Sequence, residues 1–124
     1  SCVDGADAVL AAVPTPEPIL RTLPAGIHVS VIGGDARTKQ LDPALMLDRE
    51  VVADHPEQAK KSGDFLALGN REVAWVRDAS GRVQTIGDAA LGRLEDRRGT
   101  GTIAYFTGMA VQDLHAAAMV VEKG

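Results

Sequence analysis

The sequence has one cysteine, few aromatic residues and no long apolar run. Cys2 is the single cysteine among 124 residues, which excludes an internal disulfide and a zinc site built from several thiolates. Aromatic residues make up 3% of the chain, so the stacking platforms that single-stranded nucleic acids require are missing. The net charge of −4 argues against a nucleic-acid groove or an anionic membrane surface as partner. We therefore expect no nucleic-acid and no membrane partner.

Other features that the sequence lacks bear on the location of the protein and on metal binding. No stretch approaches the roughly 18 apolar residues of a membrane-spanning helix, and no basic region precedes an apolar core at the N-terminus. A cytoplasmic location is therefore expected. The histidines, His28, His55 and His115, fall in different predicted elements, so no metal site is expected. The chain also lacks an initiator methionine, which predicts a fragment, a processed chain or one piece of a split protein.

The first half of the chain alternates short apolar runs with segments that begin like helices. Residues 8–13, 28–32 and 50–53 are predicted strands, because they are apolar and bounded by turn residues. Asp42 and His55 each precede a proline, the order expected at the start of a helix. With 45% apolar and 24% charged residues, the chain suffices for one folded domain. The alternation predicts an α/β fold with a parallel sheet and helices on its faces.

The second half is less regular. Residues 72–76 and 82–86 flank a turn at residues 78–81 and suit a hairpin, whereas the apolar spacing over residues 85–91 suits a short helix. Both interpretations remain open where they overlap. Residues 95–101 are predicted to be a polar loop, and residues 102–106 form a last apolar segment. Helical spacing of apolar residues then predicts a C-terminal helix that ends near Lys123.

The stretch His28–Lys39 is the candidate for function. Its strand ends at Gly33-Gly34, and Asp35 and Lys39 follow. Ligands of open α/β sheets bind outside the carboxyl ends of the strands, although Gly-Gly-Asp is also an ordinary turn. The sequence has no G-x-G-x-x-G turn after a strand, no P-loop and no serine in a nucleophile elbow. The residues alone therefore predict an α/β domain with a candidate ligand site beyond Ile32.

Five blocks carry a resemblance that goes further: DGADAVLAAV, PAGIHVSVIGGDARTKQLD, REVVAD, SGD and TGMAVQDLHAAAMV. In order and spacing they resemble the ornithine cyclodeaminase/mu-crystallin family over roughly residues 5–122. The resemblance implies a partial Rossmann-like parallel sheet with flanking helices and a C-terminal helix. It also implies NAD or NADP as cofactor, a homodimer, and hydride transfer at the amino- or imino-bearing carbon of a small amino acid. Family reactions include cyclodeamination, amino-acid dehydrogenation and ketimine reduction.

The resemblance assigns roles to individual residues. Asp35 matches the catalytic acid, a partly desolvated carboxylate that exchanges a proton with the amine or imine and contacts the substrate. Thr107 matches a second substrate contact. The cofactor contacts are implied at Val13, Ile32, Gly33, Gly34, Lys39 and Phe106. The two glycines are interpreted as backbone that passes beside the nicotinamide, where a side chain would obstruct approach.

Two departures and one missing part qualify this expectation. Ala11-Ala12-Val13 replaces the Thr-x-Thr common in the family, and Phe106 replaces a usual serine. The family's Gly-rich loop, its ribose-binding acid and its substrate-carboxylate cations precede the region that this chain matches. We therefore expect the C-terminal part of an oxidoreductase, with an incomplete cofactor site and no activity in isolation, associating with the N-terminal portion. The alternative is a truncated or degenerate relative that serves as a binding or assembly module.

Overall fold

A five-stranded parallel sheet organises the chain in the computed structural model, which describes residues 2–95 and 101–124. The strands are β1 (Ala8–Ala11), β2 (His28–Ile32), β3 (Glu50–Ala53), β4 (Ala74–Trp75) and β5 (Thr102–Phe106). Their spatial order is β1-β2-β5-β3-β4, so the last strand of the sequence lies in the middle of the sheet. All the pairings are parallel, which confirms the predicted α/β class and places every strand's carboxyl end at one edge.

Short helices connect the strands, and a longer one ends the chain. They are α1 (Pro43–Leu47), α2 (Pro56–Ala59), α3 (Gly63–Leu66), α4 (Ile86–Ala90) and α5 (Ala110–Lys123). The predicted starts of α1 and α2 are confirmed. The Asp42 carboxylate accepts a hydrogen bond from the Ala44 amide at 2.9 Å, and Nδ1 of His55 accepts one from the Gln58 amide at 3.2 Å. Each cap satisfies an amide that has no partner within its helix.

The sheet buries its two faces unequally. On the first face, alternate residues of β2, β5 and β3 pack under α1, α2 and α3 and form the larger core cluster, which includes Val29, Val31, Val51, Ile103, Tyr105, Met46 and Phe65. On the second face, Val52, Val76 and Ala104 form a smaller cluster with side chains from the α4 region. This second face is open over β1 and β2, where Leu10 is 65% exposed and Ile32 is 51% exposed.

The middle of the chain settles the choice that the sequence left open. The predicted turn at residues 78–81 closes a short antiparallel hairpin, in which the Asp78 amide donates to the Arg82 carbonyl at 3.0 Å, the Gln84 amide donates to the Val76 carbonyl at 2.8 Å, and Arg77 and Val83 form a bridge. Where the two interpretations overlap, at residues 85–86, the helix is confirmed. Thr85 caps α4 in a reciprocal arrangement with Asp88, so a capping box starts the helix where the hairpin's second strand was expected.

Several predicted boundaries shift. The strand predicted at residues 8–13 ends at Ala11, and Ser62 is the N-cap of α3. Most of the loop predicted at residues 95–101 lies outside the described residues. The predicted C-terminal helix is confirmed as α5, and all of its residues are exposed. Within the described ranges, no helix has both the length and the apolar character needed to cross a membrane.

Candidate functional site

The carboxyl edge of the sheet brings three polar residues of the central strands to one side of the molecule. Asp35 follows β2, Asp54 follows β3 and Thr107 follows β5. The backbone amide of Gly33 donates to the carbonyl of Phe106 at 3.1 Å, which extends the β2–β5 pairing to the end of both strands. This edge is where open α/β sheets bind ligands. We therefore take it as the candidate site.

Asp35 is ionised and accessible. Its Oδ1 accepts a hydrogen bond from the Arg37 amide at 2.7 Å, and its Oδ2 lies 3.4 Å from Nη2 of Arg37. The Arg37 backbone N–H, and after it the guanidinium, lowers the pKa of the Asp35 carboxyl. In the described chain 51% of the side chain is exposed, and its expected partial desolvation beside a cofactor stays a prediction. Oδ2 makes the longer of the two contacts and is the oxygen available to a ligand.

The backbone around Asp35 is held from beneath by the start of α3. The carbonyl of Asp35 accepts hydrogen bonds from the amides of Thr38 at 3.1 Å and Gly63 at 3.0 Å. A Cβ atom at Gly63 would collide with the carbonyl oxygens of Thr38 and Ala36. Glycine at this position therefore allows α3 to begin directly against the Asp35 loop, and the loop has a fixed location although its carboxylate is exposed.

Contacts within the chain explain why positions 33 and 34 are occupied by glycine. Gly33 has a φ of +142°, and a Cβ there would lie 2.9 Å from Nε2 of Gln40. A Cβ at Gly34 would lie 2.7 Å from the carbonyl oxygen of Thr107, closer than side chains approach a backbone. Close approach of the protein to itself thus accounts for both glycines. Their predicted approach to a cofactor stays a prediction.

A Gly34→Ala variant is expected to be less stable by about 1–3 kcal/mol, the usual cost of overpacking. The added methyl group meets backbone atoms of Thr107, so the ends of β2 and β5 must move apart. Urea unfolding measures the loss. Gly87→Ala is the matched control, because Gly87 lies inside α4 and its Cβ would come no nearer than 3.4 Å to Thr85. That variant is expected to be neutral or stabilised. Equal stabilities of the two variants would contradict the close-approach explanation.

Val13 and Lys39 lie on the β1 side of the site. The Lys39 amide donates to the carbonyl of Thr15 at 2.8 Å, which joins the loop after β2 to the loop after β1. The ammonium group of Lys39 makes no ion pair or hydrogen bond with the described residues. Val13 is 45% exposed, comparable to Ile32 at 51%. An unpaired cation and two exposed apolar side chains are therefore available on this side.

Phe106 and Thr107 differ in how they face the site. The Phe106 side chain is partly buried against the smaller core cluster, so its bulk packs against the second face of the sheet. Thr107 is fixed by Asp54, whose two carboxylate oxygens each lie 3.0 Å from the Thr107 amide. The Thr107 hydroxyl donates to Oδ1 of Asp54 at 2.9 Å, and Nε2 of Gln112 donates to Oδ2 at 3.3 Å. The threonine oxygen keeps its capacity to accept a hydrogen bond.

Asp54 was not predicted as a site residue. It directly follows the strand predicted at residues 50–53. That is the signal by which Asp35 was found. The structure joins it to Thr107 and to the beginning of α5.

Two further residues under the site, Asp64 and Tyr105, are buried and were not predicted as site residues. Asp64 is fully buried, and its Oδ1 accepts hydrogen bonds from the amides of Gln40 at 2.7 Å and Leu41 at 2.9 Å. Its Oδ2 accepts one from the Tyr105 hydroxyl at 2.8 Å, and that hydroxyl also lies 2.9 Å from Oγ of Ser62. Burial raises the pKa of the Asp64 carboxyl and of the Tyr105 hydroxyl. The sequence signal for Asp64 was the SGD block of the resemblance, and Tyr105 lies in the apolar segment predicted at residues 102–106.

The comparison with protein families classifies the chain. The model of the Ornithine cyclodeaminase/mu-crystallin family matches residues 1–124. This chain belongs to that family. The alanine dehydrogenase of Archaeoglobus fulgidus is 31% identical over 122 residues, an alignment that covers 94% of this chain and 37% of that protein.

Solved structures of the family share the fold. The Thermococcus litoralis Δ1-pyrroline-2-carboxylate reductase, in complex with NADH and L-proline, has a TM-score of 0.79 at 20% identity, covering 98% of this chain and 38% of that chain. An archaeal alanine dehydrogenase dimer with bound NAD has a TM-score of 0.72 at 23% identity, covering 94% and 37%. The chain thus spans a little more than a third of the length of these relatives.

The side chains at the carboxyl edge suit the nicotinamide half of a dinucleotide such as NAD. Exposed Val13 and Ile32 can contact the flat apolar face of a nicotinamide, and the free ammonium of Lys39 can pair with a phosphate or donate to a ribose hydroxyl. A glycine-rich turn that opens a helix, the usual cradle for the pyrophosphate, does not occur in residues 2–95 or 101–124. The same ranges contain no group of three or more His, Cys, Asp or Glu residues placed to hold a metal ion.

Proposed function

We propose that this chain supplies the second half of the dinucleotide-binding domain of an NAD(P)-dependent oxidoreductase. The proposed substrate is a small amino or imino acid, and the reaction occurs at the carbon that bears the nitrogen. The observation that carries the proposal is Asp35, an ionised and half-exposed carboxylate at the carboxyl edge of the sheet. The relatives support it, since the Thermococcus reductase is seen with NADH and L-proline and the archaeal alanine dehydrogenase with NAD.

Asp35 is proposed to move the proton. In the oxidative direction, Oδ2 accepts a proton from the substrate's amino nitrogen, and in the reductive direction it returns that proton. The carboxyl is ionised at neutral pH, as the first role requires. When bound, the nicotinamide supplies the acceptor or donor of the hydride.

The remaining roles follow from position. We assign Val13, Ile32 and the Gly33-Gly34 backbone to the nicotinamide half of the cofactor, and Lys39 to its phosphate or ribose groups. Thr107 is assigned to the substrate, because Asp54 holds its hydroxyl and leaves the oxygen as an acceptor. Phe106 contributes to the cofactor site through its backbone and the edge of its ring.

The rest of the site is proposed to come from outside this chain. The pyrophosphate cradle and the cations for the substrate carboxylate belong to a preceding N-terminal portion, and the assembly is a homodimer, as in the archaeal alanine dehydrogenase. A second candidate function is ligand binding without catalysis. It is favoured by Val13, an apolar residue where many family members carry a threonine that can bond the cofactor.

Titration of the 124-residue chain with NADH and NADPH tests the cofactor assignment. We expect weak binding, with Kd near or above about 0.1 mM, because only half of the dinucleotide has partners in this chain. Amide chemical shifts measured by NMR should change at Val13, at residues 32–35 and at Lys39. The amides of pocket-forming residues at the far edge of the sheet, such as Trp75, serve as the internal control.

Two results would contradict the proposal. Submicromolar binding by this chain alone would show that the cofactor site is complete without an N-terminal portion. Shift changes confined to residues away from the carboxyl edge would show that the assigned cofactor contacts are wrong.

A further inference from the structure

Gln40 is a buried glutamine between the carboxyl ends of β1 and β2. It is 1% exposed. Its Oε1 accepts a hydrogen bond from the Val13 amide at 3.0 Å, and its Nε2 donates to the Ile32 carbonyl at 3.0 Å. The last directly paired residues of the two strands are Ala11 and Val31. Beyond that pair, the glutamine amide takes the place of backbone pairing between β1 and β2.

The position of this amide is constrained from two sides. The backbone amide of Gln40 donates to Oδ1 of buried Asp64 at 2.7 Å, which anchors the residue in the core. On the other side, a Cβ at Gly33 would come within 2.9 Å of Nε2, so only glycine leaves the amide its space. The side chain therefore acts as a spacer of fixed length between Val13 and Ile32.

The chemistry of the amide matches its two partners. A glutamine offers one acceptor and one donor group at its tip, and the strand ends present one N–H and one C=O. A glutamate, leucine or methionine of similar size cannot satisfy both. The two residues that the amide joins are those whose exposed side chains are assigned to the nicotinamide.

We propose that Gln40 is a positioning residue, whose side-chain amide sets the separation of Val13 from Ile32 and thereby the affinity for the nicotinamide half of the cofactor. This inference rests on the proposed function. Gln40 acts through Val13 and Ile32 and exchanges no proton with the substrate. Its loss should therefore raise the KM for the cofactor and change kcat little.

The test is a Gln40→Met variant in the whole protein, because methionine keeps the length and volume but makes neither hydrogen bond. The cofactor KM is expected to rise about tenfold, the effect of one or two lost hydrogen bonds, with kcat within about twofold of the unchanged protein. Gln84→Met is the matched control. Gln84 is also buried, but its Nε2 donates to the carbonyl of Arg93 near α4, away from the site. Its cofactor KM should not change.

A second variant covers the case in which Gln40→Met does not fold. Gln40→Glu keeps the acceptor for the Val13 amide and places a carboxylate oxygen against the Ile32 carbonyl, so a severalfold rise in cofactor KM is expected. Amide hydrogen exchange at Val13, measured on the 124-residue chain, is a second readout. Relative to the unsubstituted chain, exchange should be faster by about fivefold to tenfold in Gln40→Met, and by a smaller factor in Gln40→Glu.

The outcomes separate this inference from the proposed function. Equal cofactor KM values for Gln40→Met and Gln84→Met, or a wild-type KM for Gln40→Glu, would overturn the positioning role while turnover persists. A fall in kcat with unchanged KM would also overturn it. Absence of nicotinamide turnover in the unsubstituted protein would instead overturn the proposed function, and exchange at the Val13 amide would still report whether Gln40 holds the strand ends.

Discussion

An Asp35→Asn substitution in the whole protein is expected to lower kcat of the nicotinamide-dependent reaction by about 10²- to 10⁴-fold, the usual contribution of a positioned general base. Asparagine has the same shape and can still accept the Arg37 amide bond that Oδ1 accepts at 2.7 Å. It cannot take up the substrate proton. The KM values for cofactor and substrate should change by less than about threefold, because the variant removes an interaction of the transition state.

Asp7→Asn is the control for this experiment. Asp7 is an exposed aspartate at the opposite, amino-terminal edge of the sheet, immediately before β1. It should retain full turnover. Turnover in Asp35→Asn equal to that of Asp7→Asn would reject Asp35 as the proton-transfer residue and favour binding without catalysis.

The pH dependence gives the same assignment a second test. The Arg37 amide and guanidinium lower the pKa of Asp35, so the base stays ionised as the pH falls from neutrality. We expect kcat/KM to be independent of the protonation of Asp35 at every pH above the ordinary carboxyl pKa. It should fall only at lower pH, where Asp35 becomes protonated. Arg37→Ala keeps the amide but removes the guanidinium, and the acidic limb should move to higher pH. An unmoved limb would mean that another group titrates.

An Asp64→Ala substitution is expected to lower the free energy of unfolding by about 2–5 kcal/mol, the cost of two buried donors left unsatisfied. The buried carboxyl accepts hydrogen bonds from the Gln40 and Leu41 amides and from the Tyr105 hydroxyl. Alanine would leave the two backbone amides buried without this acceptor, whereas the Tyr105 hydroxyl can still donate to Oγ of Ser62. Urea unfolding followed by circular dichroism measures the change.

Asp64→Asn separates hydrogen bonding from charge. Its carbonyl oxygen can accept both backbone amides, and its NH₂ group can donate to Tyr105, whose hydroxyl can then donate to Ser62. We expect it to recover more than half of the stability that Asp64→Ala loses. Asp7→Ala, on the surface, should cost no more than about 0.5 kcal/mol. An Asp64→Ala variant as stable as Asp7→Ala would show that the hydrogen bonds of Asp64 do not stabilise the fold.

The raised pKa of Asp64 fixes the sign of a pH effect. The folded chain binds this proton more tightly than the unfolded chain, so the stability contributed by Asp64 is greatest in acid. It is lost as the pH rises from the ordinary carboxyl pKa through the folded value. Asparagine does not titrate. The stability of Asp64→Asn relative to the unchanged chain should therefore improve from pH 4 to pH 7.

Local elements were predictable where neighbouring residues determine them. The β2 strand was located residue for residue, because a continuous apolar run ends at two glycines. The starts of α1 and α2 followed from a capping residue before proline. Residues 85–86 suited both a strand and a helix, and the choice depends on a distant contact, because Thr85 pairs with Ala53 of β3 directly before α4 begins.

The residues of the candidate site were likewise predictable only where their contacts are local in the sequence. Asp35 was found because it directly follows a strand, and its main hydrogen-bond partner is two positions away. Gln40, Asp54 and Asp64 act on residues that lie 27, 53 and 41 positions away. Pattern and spacing carry no information about contacts at such separations.

The sequence by itself determined the parallel α/β class, the family and the location of Asp35, because strand runs, caps and the Gly-Gly-Asp turn are local patterns. The tertiary structure decided the rest. It placed β5 in the centre of the sheet, which brings Thr107 and Tyr105 beside segments distant in the chain. It also left Asp35 exposed and held its loop from beneath through Gly63, because the burial of each polar group depends on which distant strands and helices pack around it.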